Sequence, residues 1–177
     1  MFKENELKIL AGFFPYAHRI YSTKDIEKRS RYSHERAHTT LSKLEKSGFV
    51  LRQKLGNVNI YRLNLEKKEL FLAFLYYMSS SKKDLNLCDL EEQFADAEVS
   101  IYLPKEAVID GKSINLIALG LAGQNSQEKV LQLKEEEFFS RLTSSRSFYE
   151  TVAAGIVFQG YEKFYDLVCR KGSRHHV

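Results

Sequence analysis

The chain has 177 residues, of which 44% are hydrophobic and 28% charged, and it contains only two prolines. This length suits one ordinary domain or two small ones, and the composition argues against wholesale disorder. The longest apolar run, residues 70–78, is too short to cross a bilayer, and the N-terminus lacks a secretory-signal pattern. Two distant cysteines, Cys88 and Cys169, predict no disulfide framework. We therefore expect a cytoplasmic protein.

The net charge of +4 is unevenly distributed along the chain. Residues 1–65 contain 13 Lys and Arg against 6 Asp and Glu, a net charge of +7. Residues 66–177 contain 14 against 17, a net charge of −3. A basic first third indicates a polyanion-binding module joined to a separate body. Small domains often carry such an imbalance, so charge alone leaves both interpretations open.

The first two predicted helices are short and amphipathic. In residues 4–14, apolar side chains recur at the three- and four-residue spacing of a helix, and Pro15 ends the segment. A second helix of about two turns follows, because Ser22 or Thr23 can cap it and Ile26 supplies an inward-facing side chain.

A third helix is predicted over residues 34–47, with Ser33 as its cap and Gly48 as its left-handed stop. Two strands, residues 49–55 and 58–63, follow it and meet at Gly56-Asn57, a tight-turn signal. The inward side chains of the third helix share one narrow arc: Ala37, Leu41 and Leu44.

The outward face of the third helix combines positive charge with compact hydroxyl groups. Arg can bind guanine through two acceptors, and Thr can contact a thymine methyl group or a phosphate. The N-terminal turn of such a helix can enter the major groove, where Arg29 and Arg31 would add charge beside the DNA backbone. An ordinary solvated surface is the alternative for this helix in isolation. The candidate DNA-binding residues of this region are Arg31, Ser33, His34, Glu35, Arg36, His38, Thr39 and Lys43.

The order of elements up to residue 65 resembles the winged helix-turn-helix domains of prokaryotic transcription regulators. The resemblance rests on YSTKDIEKRSRYSHERAHTTLSKLEKSGFV and the following hairpin LRQKLGNVNIYRLN. It implies a recognition helix over Ser33–Ser47 and a wing that meets the minor groove or its phosphates. Arg31 departs from the pattern, because many members have Gly or a small residue in that turn. The base-facing positions that the resemblance implies are Ser33, Glu35, Arg36 and Thr39, and the wing contacts are Arg52, Lys54, Asn57 and Asn59.

The remainder of the chain alternates between predicted helices and strands. A largely apolar helix over 66–78 is either a dimer element or packs between the two domains of its own chain. The polar segment SSSKKD, residues 79–84, predicts a flexible domain boundary. Further predicted helices are 87–95, 135–142, 146–153 and 161–169; predicted strands are 98–103, 114–121, 129–133 and 154–158, with a loop or hairpin at 104–112 and a turn at 123–127.

The segments SINLIALG, EEEFFSRL and FYETVAAGIVFQGYEKFYDLV resemble the end of a polymerase-beta-like nucleotidyltransferase domain. Active members of that family need a Gly-Ser loop and an Asp-x-Asp pair to hold two magnesium ions. The sequence offers only Glu98-Val99-Ser100 or Ser113-Ile114-Asn115 at those positions. The resemblance therefore implies a domain that has lost catalysis. His34 and His38 are one helical turn apart, but without further ligands we expect polar surface rather than a metal site.

The sequence predicts an α+β protein with an N-terminal winged helix-turn-helix domain followed by a small α/β domain. The domains are residues 1–65, a connecting or dimerisation segment 66–84, and an inactive nucleotidyltransferase-like domain 85–170. We expect a transcription regulator that binds double-stranded DNA as a homodimer, with no catalytic residue, metal, cofactor or membrane partner. A small-molecule or protein effector remains open. The alternatives are a nucleotidyltransferase-type enzyme and a component of a two-protein complex that uses the winged helix for partner binding.

Overall fold

The computed structural model of the protein describes residues 2–82, 85, 88–120 and 129–172. The chain divides into two compact units, Met1–Ser80 and Ser81–His176, and this division falls inside the segment predicted to connect two domains. Each unit combines helices with a β-sheet, which confirms the α+β class. Within the described ranges, no helix has the length and apolar character needed to cross a bilayer.

The first unit contains three helices, a β-hairpin and a further helix. Its sheet is antiparallel, with the order β1-β3-β2, so the short strand β1 and the hairpin strand β2 flank β3. The elements are α1 (Glu4–Ala11), β1 (Tyr21–Ser22), α2 (Thr23–Ser30), α3 (His34–Lys46), β2 (Val50–Leu55), β3 (Val58–Leu63) and α4 (Leu70–Lys82).

The core of the first unit lies where α1, α2 and α3 contact one another. Each helix contributes apolar side chains at helical spacing, and their burial removes apolar surface from water. Phe14, just beyond α1, packs its ring against Phe74 and Tyr77 of α4, with centroids 5.6 Å and 5.9 Å apart. The buried side chains of the three-helix core include Ile9, Leu10, Ile26, Ala37, Leu41 and Leu44.

Three predicted boundaries in this unit are wrong by three or four residues. The first helix ends at Ala11, and residues 12–14 continue as tight turns with three-residue hydrogen bonds. The fourth helix begins at Leu70, four residues later than predicted. It continues to Lys82 instead of giving way to a flexible segment at residue 79. The hydroxyl groups of Ser79 and Ser80 donate to the carbonyl of Tyr76, so these serines are accommodated on the helix.

The second unit has a four-stranded mixed sheet with helices packed on it. The strand order is β6-β5-β4-β7, in which β5 and β6 are parallel and the other neighbours antiparallel. The final helix begins as α8 and continues as a π-helix over Tyr165–Lys171. The elements are α5 (Cys88–Gln93), β4 (Val99–Ile109), β5 (Lys112–Leu119), β6 (Val130–Leu133), α6 (Glu135–Ser144), α7 (Arg146–Ala153), β7 (Ile156–Gln159) and α8 (Tyr161–Phe164).

Of the loop and the hairpin predicted at residues 104–112, the hairpin is confirmed, because β4 runs through Pro104 to Ile109 and pairs antiparallel with β5. The pairing register shifts between Tyr102 and Ala107, and this irregularity admits a proline that cannot donate to the ladder. The turn predicted at 123–127 lies outside the described residues. One face of the sheet carries a buried apolar cluster of Phe94, Ala97, Leu116, Ala118, Ile156 and Phe158.

Candidate nucleic-acid interface

Helix α2 is fixed at both of its ends. Ser22 and Asp25 form a capping box at the start of α2, in which the Ser22 amide donates to the Asp25 carboxylate at 2.8 Å. Hydrogen bonds from Ser22 hold the pKa of Asp25 below its usual value. At the other end, Arg31 has φ 57° and ψ 33°, a left-handed conformation that L-residues rarely adopt. This residue turns the chain sharply from α2 towards α3.

Helix α3 separates a buried face from a polar exposed face. Contacts with α1 and α2 cover Ala37, Leu41 and Leu44, as predicted, and Thr40 is also buried. Ser33 occupies the N-cap position, but its hydroxyl makes no capping hydrogen bond, so the predicted capping by this side chain is wrong. The exposed side of the helix and its preceding turn carry Arg31, Ser33, His34, Glu35, Arg36, His38, Thr39 and Lys43.

Arg36 is oriented by an aromatic ring. Its guanidinium lies 4.2 Å from the ring centroid of Tyr32, one helical turn earlier in the chain. The ammonium of Lys8 lies 5.0 Å from the centroid of the same ring. Cation–π attraction of this kind restricts an exposed arginine without consuming its hydrogen-bond donors. The donors of Arg36 can therefore bind a partner from a restricted starting position.

Three acidic residues lie on or beside this surface. Glu27 accepts from Nδ1 of His34 across 2.6 Å, which fixes the orientation of that imidazole. Glu45 pairs with Arg52 across 3.0 Å, and Glu35 is exposed on α3 itself. Exposed ion pairs contribute little stability, so their main effect is to place the cation.

The Arg29 side chain holds parts of the first unit together. Its guanidinium donates to the backbone carbonyls of Gly12 and Phe14, which ties α2 to the segment after α1. It also lies 5.1 Å from the ring centroid of Tyr21. The charge of Arg29 thus lies at the junction of α1, α2 and β1.

The β2–β3 hairpin extends from the helical body. Residues 51–58 are all exposed, and Asn59 is half-buried. Because successive side chains on a strand alternate, Lys54 and Asn59 share one face with Arg52 and Tyr61, their neighbours in the register. Asn57 lies in the turn beside Gly56, whose positive φ of 57° suits the tight connection.

All twelve sequence-predicted interface residues thus lie on the first unit, on α3, its preceding turn or the hairpin. The structure adds neighbours that sequence reasoning missed. Tyr32 is one of these neighbours, and its four-residue spacing from Arg36 could have indicated the contact. Glu27 and Glu45 lie seven residues from their partners, a separation that gives no local signal without a fold.

In the second unit, two residues named in the sequence analysis, Glu98 and Ser113, form polar contacts at the surface. Glu98 and Glu135 both pair with Lys163, and their hydrogen bonds raise the pKa of that ammonium group. Ser113 donates to Glu106 across 2.6 Å at the surface. Across the part of the chain that the structure describes, no group of three or more His, Cys, Asp or Glu side chains could hold a metal ion.

Comparison with known proteins found no matching family model, no matching curated protein and no matching solved structure. The class that the fold itself defines is α+β in two units.

Proposed function

We propose that the protein is a sequence-specific DNA-binding transcription regulator built on a winged helix. Helix α3 reads the major groove from its N-terminal half, and the hairpin over residues 52–59 contacts the backbone or the minor groove. The observation that supports this most directly is the exposed face of α3, where Arg36, Thr39 and Lys43 are all accessible. A helix with that combination of donors and hydroxyls matches the hydrogen-bonding pattern of base edges and phosphates.

Charge supports a polyanion as the partner. The hairpin sequence over residues 50–63 contains Arg52, Lys54 and Arg62 but no acidic residue. Lys43, Lys54 and Arg31 have no ion pair to other described residues. Binding of these cations to phosphates releases condensed counterions, so affinity should fall steeply as salt is raised.

The proposal includes a homodimer. One winged helix reads only a few base pairs, whereas two copies on a two-fold-related site double the contacts. Part of the apolar face of α4 is used within its own unit, since Phe74 and Tyr77 pack against Phe14. Leu72 of α4 is 49% exposed and is available to a second copy.

Selection of bound duplexes from a random pool tests this function. The expected result is enrichment of one motif in two symmetric half-sites, about one or two helical turns apart. The selection is repeated with Arg36→Ala, which should change the enriched motif, and with Arg146→Ala as a matched control. Arg146 is an exposed arginine in the first turn of α7, in the other unit.

A low-salt gel shift with random duplex tests whether the protein binds DNA at all. If the wild-type protein shifts no duplex and enriches no motif, DNA binding is wrong. The remaining interpretation of the α3 face is then a protein-binding surface in a two-protein complex.

A further inference from the structure

The end of the β2–β3 hairpin carries an exposed apolar pair. Leu55 and Val58 are register partners on either side of the two-residue turn, and they are 67% and 52% exposed. Register partners on one face of an antiparallel ladder lie side by side, about 5 Å apart at Cβ. Together they form a small exposed apolar patch at the end of the hairpin. Neither side chain packs on the core.

The two faces of the hairpin differ in chemistry. Alternation along the strands places Leu51 and Ile60 on the same face as the apolar pair. The register partner of Leu51 is Arg62, and that of Ile60 is Gln53. The opposite face carries Lys54, Asn59 and Arg52. The hairpin is therefore a narrow two-stranded ribbon whose end is apolar, and cationic and amide side chains lie next to that end.

We propose that Leu55 and Val58 wedge into a base step of the minor groove and bend the duplex that α3 reads. This inference rests on the proposed DNA-binding function and deepens it. Apolar side chains at a minor-groove step unstack the bases partially, and cations on the same ribbon bind the flanking phosphates. Lys54 and Arg62 are placed to supply those cations, and Asn57 in the turn supplies an amide for base-edge acceptors.

Charge favours DNA over a second copy of the chain as the occupant. The hairpin strand β2 is at the edge of its sheet, so another β2 could in principle pair with it. An antiparallel pair centred on Gln53 would place Arg52 opposite Lys54 of the second copy, which sets like charges side by side. A polyanion meets the same residues with opposite charge.

The test measures bending and unstacking on the selected duplex at saturating protein. Energy transfer between dyes at the two duplex ends reports bending, and 2-aminopurine at adenines beside the recognised motif reports unstacking. The variant is Leu55→Ser with Val58→Ser. The control is Val108→Ser, a 79% exposed valine near the end of the β4–β5 hairpin in the other unit.

We expect wild type and the Val108 control to bend the duplex by about 20–90° and to raise 2-aminopurine emission. The double variant should still bind with the same salt dependence, but both signals should be lost.

Four results would overturn the inference in distinguishable ways. Equal bending by the double variant, or binding by wild type without bending, removes the wedge and leaves DNA binding intact. Failure of wild type to bind any duplex removes the proposed function itself. In the last result, wild type and the Val108 control sediment with anionic phospholipid vesicles, the double variant does not, and bending is the same for all three proteins. That result assigns the apolar pair to a membrane surface instead.

Discussion

Arg36 offers the sharpest test of the interface, because its surroundings separate a specific contact from general attraction. It lies in the first turn of α3, and its guanidinium is held 4.2 Å from the Tyr32 ring centroid. Replacement by alanine removes an exposed side chain that no core residue needs. The substitution should therefore change the free energy of unfolding by no more than about 1 kcal/mol, the size of the exposed cation–π contact that it removes, and act mainly on DNA binding.

The expected magnitude follows from the contact that Arg36 is placed to make. Loss of a two-donor contact to guanine costs about 1–3 kcal/mol, or roughly 5- to 150-fold in affinity, at one base pair. Tyr32→Leu keeps the arginine but removes the ring that orients it. An exposed cation–π contact is worth about 0.5–1 kcal/mol, so this variant should lose roughly two- to fivefold at the same base pair.

Fluorescence anisotropy against the selected duplex and its single-base variants provides the measurement. For Arg36→Ala, substitution of the contacted base pair should no longer matter, while all other base pairs keep their effect. Lys43→Ala should behave differently, weakening every duplex alike and reducing the slope of log affinity against log salt by about 0.9. Arg146→Ala, in the second unit, should match wild type throughout.

If Arg36→Ala binds the selected duplex and all its variants as wild type does, Arg36 makes no contact to DNA. If Arg36→Ala lowers affinity for every sequence equally, Arg36 contacts a phosphate and not a base. A Tyr32→Leu variant that loses more than Arg36→Ala would show that the ring contacts DNA itself and does not act through the arginine.

Three further substitutions test the local structure by urea unfolding monitored by circular dichroism. Arg31→Gly should raise the free energy of unfolding by about 0.5–1 kcal/mol, because φ 57° is strained for arginine and permitted for glycine; no gain would contradict the left-handed turn. Asp25→Ala should lower it by about 0.5–1 kcal/mol near pH 7. Since the Ser22 hydrogen bonds lower the pKa of Asp25, that difference should persist above the ordinary carboxyl pKa and vanish as the pH falls through the lowered one; a pH-independent difference would rule out the ionised cap. Gly160→Ala should cost about 2–4 kcal/mol, since a Cβ there would lie 1.9 Å from the carbonyl oxygen of Glu98 at a φ of 71°, and wild-type stability would refute this close approach.

Local sequence signals were sufficient where one element carries its own start and stop. Ser22, one of the two predicted caps, is the N-cap of α2, and Gly48, with φ 74°, follows α3 as the predicted left-handed stop. The two-residue turn between Leu55 and Val58 also follows from Gly56-Asn57. Each of these features depends on residues within a few positions of one another, so the chain needs no tertiary contact to specify them.

Features set by distant partners were not predictable from such signals. Strand β1 has only two residues, and it exists because Tyr21 and Ser22 pair with Tyr61 and Ile60 of β3. The sequence around Leu55 and Val58 predicted two strands. It did not show that these two side chains lie exposed at the end of the hairpin, because that depends on how the hairpin packs on the helices. In the interface, the charges of Arg36 and Lys43 were evident, whereas the ring beneath Arg36 depended on the turn that Arg31 makes.

The positions of the acidic residues among the first 65 residues indicate which cations can bind phosphate better than the net charge of that segment does. Glu6 and Asp25 accept from the N-cap amides of α1 and α2, where the positive end of the helix dipole already favours them. Glu45 instead pairs with Arg52 across 3.0 Å, and a phosphate bound by this arginine would compete with that carboxylate. Counterion release depends on charge that phosphate newly neutralises, so Arg52 should contribute less to the salt dependence than Lys43 or Lys54.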